Sequence, residues 1–272
     1  MITKQTSNSP IGVFDSGLGG LTVLKSLEEI LPNESFIYFG DTAHVPYGSK
    51  SAEMVTLYSQ QIMDFFLKYK TKAVVIACNT ASAVAFQHLK RNYDIPLFDV
   101  VTPSVEYSMK VTKTQKIGVI GTYSTIQSSA YKRMFNDLGG GCSILEISCP
   151  LFVPIIEEGW ADSPIAKDTA EFYLHDFMNS DIDTLILGCT HYPIMANTIQ
   201  ALLPNQINLV HSGKTVGHKL IEYLKEKNCE SAANRSRSVQ FFVTDYPQKF
   251  DELGSRFLGK KLNKVTHISI LK

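Results

Sequence analysis

The sequence lacks a charge bias: across 272 residues, 26 Lys and Arg balance 26 Asp and Glu. With no net positive charge and no dense basic stretch, it has no general means of attracting nucleic acid or an anionic membrane surface. Long apolar runs are missing too, none approaching the roughly 18 residues that a membrane helix needs. The first ten residues, MITKQTSNSP, are polar and carry no apolar signal-peptide core. Cysteine is scarce, with five widely spread residues and no CxxC pair. That excludes a disulfide framework and predicts reduced thiols in a cytoplasmic protein. Metal-ligand spacing is lacking as well. Cys142 and Cys149 stand seven apart without a nearby histidine, so no metal is expected.

What the sequence does contain is an ordinary globular composition, 44% hydrophobic and 19% charged, and two cysteines in matching contexts. Cys78 lies in AVVIACNTASA and Cys189 in TLILGCTHYPI. Each follows a short apolar run, Val74–Ala77 or Leu185–Leu187, that reads as a buried parallel strand, and each precedes a loop that opens a helix. A thiol at such a junction meets the partial positive charge of a helix N-terminus, which predicts a lowered pKa. Either cysteine alone reads best as a small buried apolar residue. Two at equivalent strand ends, each beside amide or hydroxyl side chains, suggest an acid and a base facing one another across a substrate.

Apolar, β-rich runs alternate with helical patterns along the chain. Strands are predicted at Ile11–Phe14, Phe36–Phe39, Val74–Ala77, Leu97–Val100, Ile117–Ile120, Ser143–Ile147, Thr184–Leu187, Asn208–Val210, Gln240–Val243 and Val265–Ile270. Helices are predicted at Leu21–Leu31, Ala52–Tyr69, Ser104–Val111, Gln127–Leu138, Ser163–Met178 and Val216–Lys227. The alternation predicts an α/β fold of parallel sheets covered on both faces, with ligands at the carboxyl ends of the strands. A weak repeat divides it. IGVFDSGLGG starts at Ile11 and IGVIGTYST at Ile117, an offset of 106, while the two thiols are offset by 111. A boundary falls near Leu97–Thr102, between Pro96 and Pro103.

Other segments carry weaker chemistry. In FDSGLGG, Asp15 and Ser16 end the first strand, but Thr22 stands where a dinucleotide fingerprint needs its third glycine. Pro46, Tyr47 and Gly48 form a stiff turn able to offer backbone N–H groups and a phenol to an anion, with Ser49 placed to cap the next helix. HSGKT, His211–Thr215, lacks the leading glycine of a phosphate loop and reads as a helix start. Glu157 and Glu158 fit a cleft wall and a solvated helix end equally well.

Taken together, DSGLGG, GDTAHVPYG, ACNTASA, GTYST and GCTHYP resemble, in order and spacing, the glutamate racemases of the cofactor-independent aspartate/glutamate racemase superfamily. The resemblance implies two similar parallel-sheet α/β domains related by pseudo-twofold symmetry, residues 1–98 with 212–272 and residues 99–211, with the active site in the cleft between them. It implies interconversion of L- and D-glutamate for peptidoglycan, no pyridoxal phosphate or other cofactor, and a homodimer. Carried over, Cys78 and Cys189 become the proton-transfer residues. Asp15, Ser16, Tyr47, Gly48, Asn79, Thr80, Thr190 and His191 become substrate contacts, with Thr122 a weaker one. His44 departs from the arginine that many relatives carry between the DTA and PYG segments.

The chemistry is consistent with two thiols. One base tends to return a proton to the face it came from, so inversion needs two groups of opposite protonation state. Hydrogen bonds from Asn79, Thr80, Thr190 and backbone amides are expected to spread charge on the α-carboxylate. An aspartate-specific racemase and a non-catalytic amino-acid-binding protein stay open as alternatives. A thiol hydrolase needs one nucleophile and a base rather than two matched thiols.

Overall fold

The structure is a computed structural model that describes residues 6–139, 141–204, 206–232 and 236–270; the first five residues of the polar N-terminal stretch lie outside it. Among the described residues ten strands form two wholly parallel sheets. The first contains β1 (Ile11–Asp15), β2 (Phe36–Gly40), β3 (Ala73–Ile76), β4 (Leu97–Asp99), β9 (Val239–Val243) and β10 (Val265–His267), in the order β10-β9-β2-β1-β3-β4. The second contains β5 (Lys116–Gly121), β6 (Ser143–Ser148), β7 (Thr184–Gly188) and β8 (Asn208–His211), in the order β6-β5-β7-β8. The two sheets therefore share one local plan: the first strand of each set lies between the second and third, and the fourth lies outside the third. Each thiol comes just after the third strand.

Helices cover the sheets, as parallel pairing requires. In chain order they are α1 (Gly20–Ile30), α2 (Ala52–Lys68), α3 (Asn79–Asn92), α4 (Val101–Val111), α5 (Tyr123–Gln127), α6 (Ala130–Asp137), α7 (Phe152–Glu157), α8 (Pro164–Met178), α9 (Ala196–Leu202), α10 (Ser212–Glu226) and α11 (Pro247–Leu258). Central strands are buried on both faces, so β1, β3 and β7 consist of buried residues throughout and read as unbroken apolar runs.

Several predicted boundaries shift for identifiable reasons. The helix expected over Gln127–Leu138 is two helices, split at Ser129, whose φ of 53° is left-handed. Ser51, rather than Ser49, caps α2 by accepting from the Met54 amide at 3.3 Å, while Ser49 closes a one-turn helix at Tyr47–Ser49. The last strand stops at His267 instead of Ile270. HSGKT does begin a helix, starting at Ser212 rather than Val216. Among the described residues no helix is long and apolar enough to cross a membrane, and no group of three or more His, Cys, Asp or Glu is arranged to hold a metal ion.

Candidate active site

Strand register brings the key residues together. In the first sheet Phe14 pairs with Ile76, so Ser16 and Cys78, two residues beyond, leave the sheet side by side; the Cys78 thiol lies 3.9 Å from Ser16 Oγ. In the second sheet Ile120 pairs with Leu187, which carries Thr122 and Cys189 to the equivalent places. Both thiols line one cavity of about 430 Å³, a volume suited to a small metabolite. Ser16, Tyr47, Gly48, Asn79, Thr80, Thr122, Thr190 and His191 line it with them. Asp15 does not. It is fully buried behind the wall, accepting from the Gly17 amide at 2.9 Å and facing Thr190 Oγ1 at 3.5 Å.

Bare backbone lets the two sides approach. A Cβ on Gly19 would overlap Thr190 Oγ1 and His191 Nδ1, and one on Gly48 would sit 2.9 Å from Thr122 Cβ. Three hydroxyls also meet across the cleft: Thr80 Oγ1 lies 3.0 Å from Thr122 Oγ1 and 3.2 Å from Thr125 Oγ1, and the last two are 2.9 Å apart. The Tyr47 hydroxyl, expected to face an anion, instead donates to Asp41 Oδ2 at 2.6 Å. Asp41 also holds Thr244 Oγ1 at 2.8 Å and His44 Nδ1 at 2.8 Å, and the His44 ring stacks on Tyr58 with centroids 4.0 Å apart. The departure at His44 is thus absorbed beside the turn, and His44 is not among the cavity-lining residues.

The two thiols differ in surroundings. Cys78 directly caps α3, with no intervening loop, yet its thiol is pushed up to about 12 by burial and, next, by the negative charge of Asp15. This overturns the expectation of a lowered pKa. A helix terminus contributes roughly 0.3–1 kcal/mol, whereas full burial can shift a group by several pKa units. Burial wins. Cys189 meets no long helix at all: the chain continues into a one-turn helix at Tyr192–Met195 before α9. Its neighbour is His191, whose Nδ1 is 3.9 Å from the sulfur and whose Nε2 is 3.0 Å from Glu157 Oε1. Burial alone would lower the His191 pKa, but these two partners bring it up to about 10. The two contacts therefore favour the protonated ring. Asp15 is raised by burial, with the His191 charge pulling the other way.

Glu157, left ambiguous in the sequence, is therefore a site residue, while Glu158 is exposed at the helix end. No motif pointed to Glu157, because its partner is 34 residues away. Asp41, Thr125, Tyr131 and Ser212 also went unmarked. Asp41, Thr125 and Ser212 stand inside quoted motifs, but nothing in those motifs marks their partners, and Tyr131 lies outside any motif.

Comparisons with known proteins show the family and the fold. The Asp/Glu/Hydantoin racemase family profile matches residues 11–216. A glutamate racemase of Syntrophus aciditrophicus is 42% identical over 96% of this chain and 97% of its own length, and one of Geobacter metallireducens is 42% identical over 96% of each. Among solved structures, a glutamate racemase isoform of Bacillus anthracis superposes with a TM-score of 0.93 at 35% identity, covering 97% of this chain and 98% of its own. A Francisella tularensis glutamate racemase solved in complex with D-glutamate gives 0.90 at 37% identity with the same coverage.

Proposed function

This chain belongs to the Asp/Glu/Hydantoin racemase family, among its glutamate racemases, and we propose that it interconverts L- and D-glutamate with Cys78 and Cys189 as opposed proton-transfer groups. One observation carries the reading: two cysteines, delivered by equivalent strands of two separate sheets, line the same metabolite-sized cavity. The substrate lies between the unit formed by residues 1–98 with 212–272 and the unit formed by residues 99–211.

A sulfur anion on one side removes the α-proton, and the thiol on the other delivers its own proton to the opposite face. The enzyme finishes with the two protonation states exchanged, ready for the other enantiomer. Cys78, whose thiol is pushed up to about 12 by burial, is assigned the donor role in one direction of the reaction. Cys189 is then the base, with the His191 imidazolium as counter-charge for its anion and Glu157 holding that ring. The Thr80 and Thr122 hydroxyls and the backbone amides of the Tyr47–Gly48 turn serve as donors to the substrate carboxylates. Asp15, Ser16 and Thr190 complete the polar wall, and Asp15 assists from behind it. No pyridoxal phosphate is invoked, because the residues themselves supply base, acid and carboxylate donors.

We place the reaction in the cytoplasm, as a source of D-glutamate for peptidoglycan, and expect a homodimer, which sedimentation equilibrium checks. Racemisation itself is tested with L-glutamate in deuterium oxide and no added cofactor. The optical signal should decay as deuterium enters the α-position. Folded, reduced protein that produces neither change overturns the proposal, and faster turnover of aspartate would redirect it to that acid.

A further inference from the structure

Asn79 opens α3 next to Cys78, is 2% exposed and lines the cavity. Its amide offers two N–H donors and one carbonyl acceptor. Both donors are already used, as Nδ2 lies 2.9 Å from Tyr131 OH and 3.3 Å from Ser212 Oγ. Ser212 settles which end of the amide is which. Its single hydroxyl proton goes to the Leu187 carbonyl at 3.3 Å, so toward Asn79 it can only accept. The other end, Asn79 Oδ1, is buried and has no hydrogen-bond partner among the described residues.

An orphaned buried acceptor costs on the order of 1–3 kcal/mol, a deficit that a ligand donor removes. Glutamate bears two carboxylates, which only accept, and one ammonium, which donates. The acceptor therefore matches the ammonium, and the Asn79 side chain is not the carboxylate donor expected from the sequence.

Resting on the reading that glutamate fills this cavity, we propose that Tyr131 is a positioning residue, fixing the Asn79 amide so that its carbonyl end is free for the substrate ammonium, with Ser212 as the lesser partner. Tyr131 sits on α6, fully buried in the apolar cluster of the second sheet with Val105, Ile117, Phe135 and Ile186. Asn79 follows a strand of the first sheet. The amide is thus oriented from across the cleft, and only when the two sides are together. Nothing in proton transfer itself uses the Tyr131 phenol.

Tyr131→Phe keeps the ring and removes the oxygen. Calorimetric titration with racemic glutamate and with glutarate, which has both carboxylates but no ammonium, separates orientation from general damage. The wild type should prefer glutamate. The variant should lose about tenfold or more of that preference while glutarate affinity stays within about twofold, as expected for one hydrogen bond to a charged group. Ser212→Ala should shift the preference the same way by less, and it provides a second reading if Tyr131→Phe folds poorly. Equal weakening of both acids, or an unchanged ratio in both variants, overturns the inference. A wild type that binds glutarate but not glutamate, or neither acid, overturns the glutamate reading first and this inference with it.

Discussion

The two sheets repeat one backbone plan but dress their thiols differently. On the first, β1 ends in Asp15 beside the Cys78 strand; at the equivalent end of β5 stands Gly121. The Asp15 side chain therefore backs one thiol, while the other is served by His191 and Glu157. The difference teaches how a near-symmetric scaffold performs an acid–base task. Under the proposed mechanism, symmetry of the backbone brackets the substrate with two sulfurs, while the charged groups packed around each sulfur differ. The largest expected effect breaks the pair outright. Cys78→Ser and Cys189→Ser should each lower racemisation by about three orders of magnitude or more, because a serine hydroxyl is a far weaker acid than a thiol. Chiral analysis of glutamate turnover measures it, and near-normal turnover in either variant would end the two-thiol mechanism.

The comparison extends to the far ends of the thiol strands. Six residues before Cys78 stands Lys72, and six before Cys189 stands Asp183. Each clips its strand to neighbouring segments. Lys72 Nζ lies 2.6 Å from Glu34, both buried, and donates to the carbonyls of Ser7 and Cys229 at 2.8 Å. Glu34 in turn accepts from the Ser231 amide and hydroxyl, each at 2.8 Å. Lys72→Met strands the Glu34 carboxylate in the interior, so about 3–5 kcal/mol of stability should be lost. Urea unfolding monitored by circular dichroism tests this. A loss below about 1 kcal/mol would mean that Glu34 is satisfied without its cation.

A smaller effect separates the thiols by pH. The His191 pKa is raised in the folded protein from 6.5 to about 10. Its contribution to stability is therefore complete below pH 6.5 and lost as pH rises through about 10. Glu157→Gln removes one of the groups that raise it, so the loss should move to lower pH. Turnover should fall roughly tenfold to a hundredfold, with its alkaline limb displaced the same way. A pH–rate profile of the variant that overlays the wild type, apart from scale, would remove Glu157 from the site.

The ten described strands, and the place of each thiol just after a buried strand, were legible in the sequence, because buried parallel strands are short apolar runs. The expected loop and helix after each thiol were not found as read, since Cys78 adjoins α3 directly and Cys189 leads into a one-turn helix. Protonation was not legible. The helix-terminus rule predicted a lowered Cys78, but burial and Asp15 are properties of the packed cavity, and they raise it. Helix α11 was also missed; its Pro247 start gives little periodic signal, yet it brings the Phe257 ring to 5.4 Å from the His191 ring. Glu157, Tyr131 and Ser212 share that fate. Each acts through a partner 34 to 133 residues away, a distance over which a single sequence carries no signal.

The weakest expected effect tests whether the second clip really matches the first. Asp183 accepts from Thr112 Oγ1 at 2.7 Å and from the Lys113 and Thr114 amides at 2.6 and 2.8 Å, tying the start of β7 to the turn that precedes β5. Burial acts to raise this carboxyl, but the hydrogen bonds prevail and bring it down from 3.8 to about 2. A depressed folded pKa means stability present above the unfolded value of 3.8 and lost as pH falls through about 2. Asp183→Asn should cost about 1–2 kcal/mol at pH 7, less than the full shift implies because water partly screens the site. The difference between variant and wild type should shrink on acidification and vanish near pH 2. Unfolding curves across pH 2–7 measure both features. A variant as stable as the wild type at pH 7 would show that the strand ladder alone holds β7, and only the first sheet would then clip its thiol strand through a buried charge.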